Sequence, residues 1–283
     1  MGKFRRGWLL TKESWAIVRD DRSLVVFPII SAISVVLTVL VFTAAAVGVI
    51  TVSDAEWTGI PFLVAGVYLL IVAGVFSSVA LAACASKALD GQDTTVGEGI
   101  AAARGRMKLI LAWSAVSLFV GTFIALLQAF LEDVAGSLVS SIVGGLANVG
   151  WSIATYFVVP VIALEGLGPK AALKRSVGVI KERWGEGVVG TGAIGLVFMI
   201  AFLPAVLLVF LGGSMVKDDA AIGVALIAIG VIVVGIALLL QMTVVTVFKV
   251  ALLRFATDGS VLGGFQQEQL EHAFKPKSRK NRR

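Results

Sequence analysis

The stretch Val158–Trp184, VVPVIALEGLGPKAALKRSVGVIKERW, starts as an unbroken apolar run and turns basic within a few residues of Glu165. A carboxylate at that boundary has two readings. It is a catalytic or ion-carrying group, or it marks where a helix leaves a bilayer. Composition separates the two. Of 283 residues, 58% are hydrophobic and 15% charged, with a mean hydropathy of +0.97. A soluble domain is about 45–50% apolar and about 25% charged. No soluble fold of this length hides such a surplus, so lipid is the main solvent. The chain reads as an all-α integral membrane protein.

Crossing a bilayer takes about 20 apolar residues. Six stretches qualify: Leu24–Ile50, Ile60–Ala83, Leu109–Leu131, Val139–Leu164, Val188–Leu211 and Ala220–Val250. None contains an acid, and the one base within them is Lys249, in the last turn of the sixth. Such segments are helices because an isolated span must satisfy its own backbone hydrogen bonds in lipid. The short alternating segments of a β-barrel are absent. The first stretch is too long for a signal-peptide core, although Thr43–Ala46 loosely mimics a cleavage site, and is read as a retained anchor.

The bases segregate. Lys3, Arg5, Arg6, Lys12, Arg19 and Arg22 precede span one. Lys87, Arg104, Arg106 and Lys108 follow span two, and Lys170, Lys174, Arg175, Lys181 and Arg183 follow span four. Lys249, Arg254 and the run Lys275–Arg283 close the chain, leaving Lys217 alone on the other side. The positive-inside rule then puts both termini in the cytoplasm of a cell-membrane protein. An odd number of spans destroys that segregation. The opposite loops carry acid pairs instead (Asp54 with Glu56, Glu132 with Asp133, Asp218 with Asp219). They are read as solvated hairpin caps in preference to an external cation site. Cys84 stands alone, so no intrachain disulfide forms, and its place near a helix end suits a small packing residue.

Glu165 is not unique. After spans two, four and six come Ala88-Leu89-Asp90-Gly91, Ala163-Leu164-Glu165-Gly166 and Ala256-Thr257-Asp258-Gly259. Glycine suits a helix C-terminus because it accepts the left-handed conformation. The acid beside it opposes the helix dipole, so a basic side chain or a helix N-terminus is expected to hold each one. Before spans one, three and five lie charged, helix-capable segments. In the third, Leu173, Val177, Ile180 and Trp184 form an apolar stripe flanked by Lys170, Lys174 and Lys181, the layout of a helix in the membrane interface. In the second, Val96, Ile100, Ala103 and Met107 keep that spacing. In the first, Thr11, Trp15 and Val18 align likewise, with Lys12, Ser14 and Arg19 matching Lys174, Ser176 and Lys181. Residues 1–259 are therefore expected to be one membrane domain of three repeated interfacial-helix-plus-hairpin units, about 1–91, 92–166 and 167–259. Residues 260–283 form a basic tail.

Polar groups inside spans are the default place to look for function. Ser114, Gln128, Asn148, Ser152 and Gln241, with Ser137, Ser141, Ser117 and Thr155, suggest a polar cavity between spans three, four and six. The same residues also suit close helix packing, the favoured reading. Gly187, Thr191 and Gly195 are the same small-residue device in span five. Pro160 and Pro204 are expected to kink their helices. No Walker loop, Gly-x-Ser-x-Gly elbow, metal cluster or intramembrane carboxylate pair is present, and His272 is the only histidine. No enzyme, cofactor or metal is expected, and no nucleic-acid partner.

The pattern Pro160-x-x-x-Leu164-Glu165-Gly166-Leu167-Gly168-Pro169-x-x-Ala172-Leu173-Lys174-Arg175-Ser176 resembles the membrane domain of bacterial glycerophosphoryl diester phosphodiesterases. Arg6-Gly7-Trp8, Ser14-Trp15, Phe27-Pro28 and the Ala-Thr-Asp-Gly near the tail are similar to a bacterial six-span family of unknown function. The resemblance implies a fold. It implies no catalytic residue, because the hydrolytic domain of those phosphodiesterases has no counterpart here. The expected role is binding or organising lipids, above all anionic headgroups, or partner proteins through a basic cytoplasmic face. The alternative is a channel or uncoupled transporter. Glu165, with Asp90 and Asp258, then becomes a structural joint.

Overall fold

A computed structural model describes residues 3–21, 23–53, 55–183, 189–217 and 219–259. Trp184, Gly187, Asp54, Asp218 and the tail lie outside the described residues. Among those described every regular element is helical: α1 (Lys3–Asp20), α2 (Ser23–Ser53), α3 (Ile60–Leu89), α4 (Val96–Gly105), α5 (Met107–Ala135), α6 (Ser137–Ala154), α7 (Val158–Leu164), α8 (Pro169–Arg183), α9 (Val189–Met215) and α10 (Ala220–Asp258). A single turn of 3-10 helix, Glu56–Gly59, leads into α3.

Among the described residues, six helical stretches are long and apolar enough to cross a membrane: Ser23–Ser53, Glu56–Leu89, Met107–Ala135, Ser137–Leu164, Phe198–Met215 and Ala220–Asp258. Most of the expected spans run a turn or more longer than their apolar cores, since polar ends continue a helix outside lipid at little cost. Their outward faces are apolar. On α5, Phe119, Phe123, Leu126 and Phe130 form one stripe exposed by 59–72%, the inverse of a water-soluble helix.

Span four departs from the expected single helix. Pro160 cannot donate to the carbonyl of Tyr156, and its ring crowds that oxygen. The ladder opens over Thr155–Phe157, with Tyr156 N–H on Ile153 O (3.1 Å) and Val158 N–H on Thr155 O (3.0 Å), so α6 and α7 are separate helices. Pro28 and Pro204 lie inside helices that continue past them.

The chain divides into two compact units. One comprises Met1–Val25, Ala88–Asp93 and Arg183–Arg283. In it α1 packs on both α9 and α10. The hairpin of α9 and α10 closes through glycines. A methyl group at Gly212 would lie 2.7 Å from the Gly223 carbonyl oxygen, and one at Gly230 would lie 2.9 Å from Ala205 O. Asp219 caps α10, its Oδ1 accepting from the N–H groups of Ala221 (3.0 Å) and Ile222 (3.1 Å).

The other unit comprises Val26–Lys87 and Thr94–Glu182. Here Gly66 lets α3 meet Phe42 of α2, and Tyr68 of α3 donates its hydroxyl to the Leu111 carbonyl of α5 at 3.1 Å. The hairpin of α5 and α6 turns at Gly136 (φ +83°). Trp113 and Trp151 stack across it with centroids 5.8 Å apart. Such backbone-close contacts suit lipid, where apolar burial gives no drive and packing must.

Candidate functional site

The helix exits come first. Gly91, Gly166 and Gly259 have φ of +73°, +65° and +68°. Each follows its acid and ends its helix in the left-handed conformation, which a side chain disfavours. At α7 the Gly166 N–H reaches back to Val161 O at 3.1 Å. Glu165 receives the Arg175 Nε–H, which lies 3.2 Å from both carboxylate oxygens. Asp90 Oδ2 accepts from Arg254 Nη1 at 2.7 Å, tying the end of α3 to α10. Asp258 is exposed, and no ion pair to it occurs among the described residues. Gly166 has a second constraint: the Arg106 guanidinium lies on its α-carbon, where a methyl group would sit 2.6 Å from Cζ and 2.8 Å from Nη2.

The charged helices come next. The fully buried stripe of α8 is Ala172, Ser176 and Val179, with Leu173, Val177 and Ile180 half-buried beside it. Lys170, Lys174 and Lys181 are exposed. The expected apolar stripe is therefore the shoulder of the packed face, because small residues take the close contact. The Phe157 N–H, released by the break before α7, donates to Ser176 Oγ at 3.1 Å.

In α4 the buried positions are Gly99 and Ala103, and a methyl group at Gly99 would lie 2.8 Å from Cys84 Sγ, with the Phe27 ring also against it. Cys84 is buried at this contact. Val96 and Ile100 are half-buried and Met107 exposed, so that stripe too is displaced. Thr95 and Glu98 form a capping box at the start of α4, and Glu98 also meets Lys87 Nζ at 3.5 Å. The Thr-x-x-Glu spacing carried this signal in the sequence, unread.

In α1 the buried face is Ser14, Ile17 and Val18, while Trp15 is exposed. The expected Thr11–Trp15–Val18 stripe is thus split, with Val18 turned inward and Trp15 outward. Packing against α9 and α10 selects that face, which helical periodicity alone does not fix.

The polar residues of the spans are mostly satisfied locally. Ser140 Oγ donates to Gln128 O at 2.7 Å, and the Gln128 side chain lies against Gly144. Asn148 Nδ2 donates to Gly144 O at 2.9 Å, and Thr243 and Thr246 donate back to Leu239 and Met242. Ser114 is fully buried and its hydroxyl has no hydrogen-bond partner among the described residues. Asn148 and Ser152 are exposed on α6, and Gln241 is half-buried in the unit that holds α10. A methyl group at Gly195 would meet no described residue within 4 Å. No metal-holding cluster of His, Cys, Asp and Glu occurs among the described residues.

A model of a family of unknown function (DUF6159) matches residues 62–264, which is most of the chain. No curated protein matches it.

Proposed function

Because the chain belongs to that family of unknown function, its role rests on its own residues, and we propose a non-enzymatic multi-pass protein of the cell membrane. It binds or organises anionic lipids, or partner proteins, through a basic cytoplasmic face, and both termini lie on that side. The observation that carries this reading is the segregation of bases: every Lys and Arg except Lys217 flanks the same ends of the spans. The exposed Lys170, Lys174 and Lys181 beside the half-buried Leu173, Val177 and Ile180 supply an apolar shoulder under a cationic edge.

Three copies of one unit are part of the proposal. Two regularities support it: the shared left-handed glycines after Asp90, Glu165 and Asp258, and the full burial of Ser14, Gly99 or Ser176 in each charged helix. Kinship in fold with the membrane domain of glycerophosphoryl diester phosphodiesterases belongs here too, carrying no catalytic residue with it. The test is the lipid retained through purification. Anionic lipid enriched over the host membrane is expected. A retained mixture indifferent to lipid charge, to Lys170→Gln/Lys174→Gln/Lys181→Gln and to removal of 260–283 sinks the electrostatic part.

A second reading keeps one specific support. Ser141, Gly145, Asn148 and Ser152 form an exposed polar stripe along α6, a face that suits a polar path as well as a packing partner. Solute flux in proteoliposomes that Asn148→Leu and Gln241→Leu abolish would favour a channel or uncoupled transporter. Flux that is absent, or untouched by both changes, removes that reading.

A further inference from the structure

The exposed face of α1 is not the face its sequence suggests. With Ser14, Ile17 and Val18 turned inward, the side chains left outside on the opposite face are Trp8, Lys12, Trp15 and Arg19. They stand at i, i+4, i+7 and i+11, a stripe about 60° wide on a helix of 3.6 residues per turn. Trp8 is 54% exposed and Trp15 39%. Indole and base alternate along the stripe, and no acid interrupts it.

Two further observations place this stripe at a membrane surface. The first is covalent. α1 ends at Asp20 and α2, the first membrane-crossing helix, starts at Ser23. Beside this joint, Asp21 N–H bonds Ile17 O at 3.0 Å, and Asp21 Oδ1 accepts from Ser23 N–H at 3.0 Å. A helix that ends two residues short of a span has that end near the lipid–water boundary. The second is Trp57, 71% exposed in the turn at the far end of α2. An exposed indole at the end of a span is the pattern of the aromatic belts of membrane proteins.

We propose that Trp8, Lys12, Trp15 and Arg19 form a headgroup-reading edge on α1. The two indoles sit at the glycerol–carbonyl level of the leaflet, and the two bases hold the phosphates of anionic phospholipids. The chemistry fits that occupant. An indole has an apolar ring and one N–H donor, which matches the boundary between acyl chain and water. A base one turn away reaches the phosphate above it, with its alkyl stem along the apolar layer. The inference rests on the reading that the apolar helices lie in a bilayer whose basic side carries α1. It names which element holds the lipid.

The test uses the full chain reconstituted into phosphatidylcholine vesicles with and without phosphatidylglycerol, with lipids brominated near the glycerol as fluorescence quenchers. Quenching is expected to be stronger when phosphatidylglycerol carries the bromine than when phosphatidylcholine does. Trp8→Phe/Trp15→Phe removes that excess. Lys12→Gln/Arg19→Gln keeps the indoles quenchable but lowers the preference for phosphatidylglycerol by about tenfold. Two results overturn the proposal. In one, iodide in the water reaches Trp8 and Trp15 in vesicles while brominated lipid does not, the outcome for a face that docks protein. In the other, the preference survives Lys12→Gln/Arg19→Gln and disappears with Lys170→Gln/Lys174→Gln/Lys181→Gln. There the broader lipid-binding reading stands and the α1 edge falls. A wild-type protein with no preference overturns both.

Discussion

In the proposed repeat, Ser176 of α8 and Ser14 of α1 hold matching places, and both are fully buried. The first caps Phe157 N–H at 3.1 Å, and the second has no hydrogen-bond partner among the described residues. The difference lies in what each packs against. Span four carries Pro160, opens at Thr155–Phe157 and frees a backbone donor at the place where α8 crosses it. α10, which α1 packs on, runs unbroken from Ala220 to Asp258. Phe157 lies eight residues before Glu165, and the residue eight before Asp258 is Val250, well inside that helix. Its N–H is committed to the helix ladder. The same serine in the same register is therefore a structural hydrogen bond at one exit and an idle hydroxyl at the other.

The exit glycines give the largest expected contrast. Gly166 and Gly259 share a left-handed φ, but only Gly166 lies under the Arg106 guanidinium, whereas no described residue stands within 4 Å of a methyl group at Gly259. Gly259→Ala is expected to cost about 1 kcal/mol of backbone strain. Gly166→Ala adds displacement of the Arg106 guanidinium, the movable end of a flexible side chain, for about 2 kcal/mol in all. Thermal unfolding of both variants in lipid nanodiscs measures the difference. Equal losses would mean that Arg106 moves aside freely and that the two exits are alike.

Ser176→Ala comes next. It removes the Ser176 Oγ acceptor from the buried Phe157 N–H and is expected to cost about 2 kcal/mol. Pro160→Ala in the same background is the sharper experiment. If the proline creates the orphan donor, restoring a backbone N–H at 160 lets span four close its ladder, and the loss from Ser176→Ala shrinks. A double-mutant cycle with no coupling between 160 and 176 breaks the account. The ion pairs rank lower. Arg175→Gln and Arg254→Gln are each expected to cost about 1 kcal/mol or less, with the cost falling as salt rises, since all four partners remain partly exposed.

What could be read from sequence follows the same division between local and tertiary causes. The six spans were legible because lipid imposes its demand on each segment separately, with no need to know its neighbours. The three left-handed glycines were legible for a similar reason: a helix that must stop beside an acid needs a residue free of Cβ at that point. The Thr95–Glu98 capping box is equally local, written in a Thr-x-x-Glu spacing. The faces of α1, α4 and α8 were not legible to better than one residue. Leu173–Val177–Ile180 and Ala172–Ser176–Val179 both satisfy helical periodicity, and only the close approach of a neighbour selects the smaller set. The Asp90–Arg254 pair spans 164 residues, and no local signal announces it. The stripe of Trp8, Lys12, Trp15 and Arg19 became visible only when Ser14 and Val18 were seen to face inward.

The smallest effect is the one that decides what kind of position residue 14 is. If its hydroxyl is idle, Ser14→Ala removes a buried oxygen that has no partner and leaves a side chain of nearly the same volume. Burying an unpaired hydroxyl costs free energy, so the alanine variant is expected to unfold within about 0.5 kcal/mol of the wild type or to be more stable than it. The paired measurement is Ser14→Val, in which the added bulk must press on α9 or α10 and should cost about 1–3 kcal/mol. A small residue kept for close packing gives a neutral alanine and a damaging valine. A Ser14→Ala loss as large as that of Ser176→Ala would mean instead that the α1 hydroxyl holds a hydrogen bond in the membrane after all, and that the two exits are built on one plan.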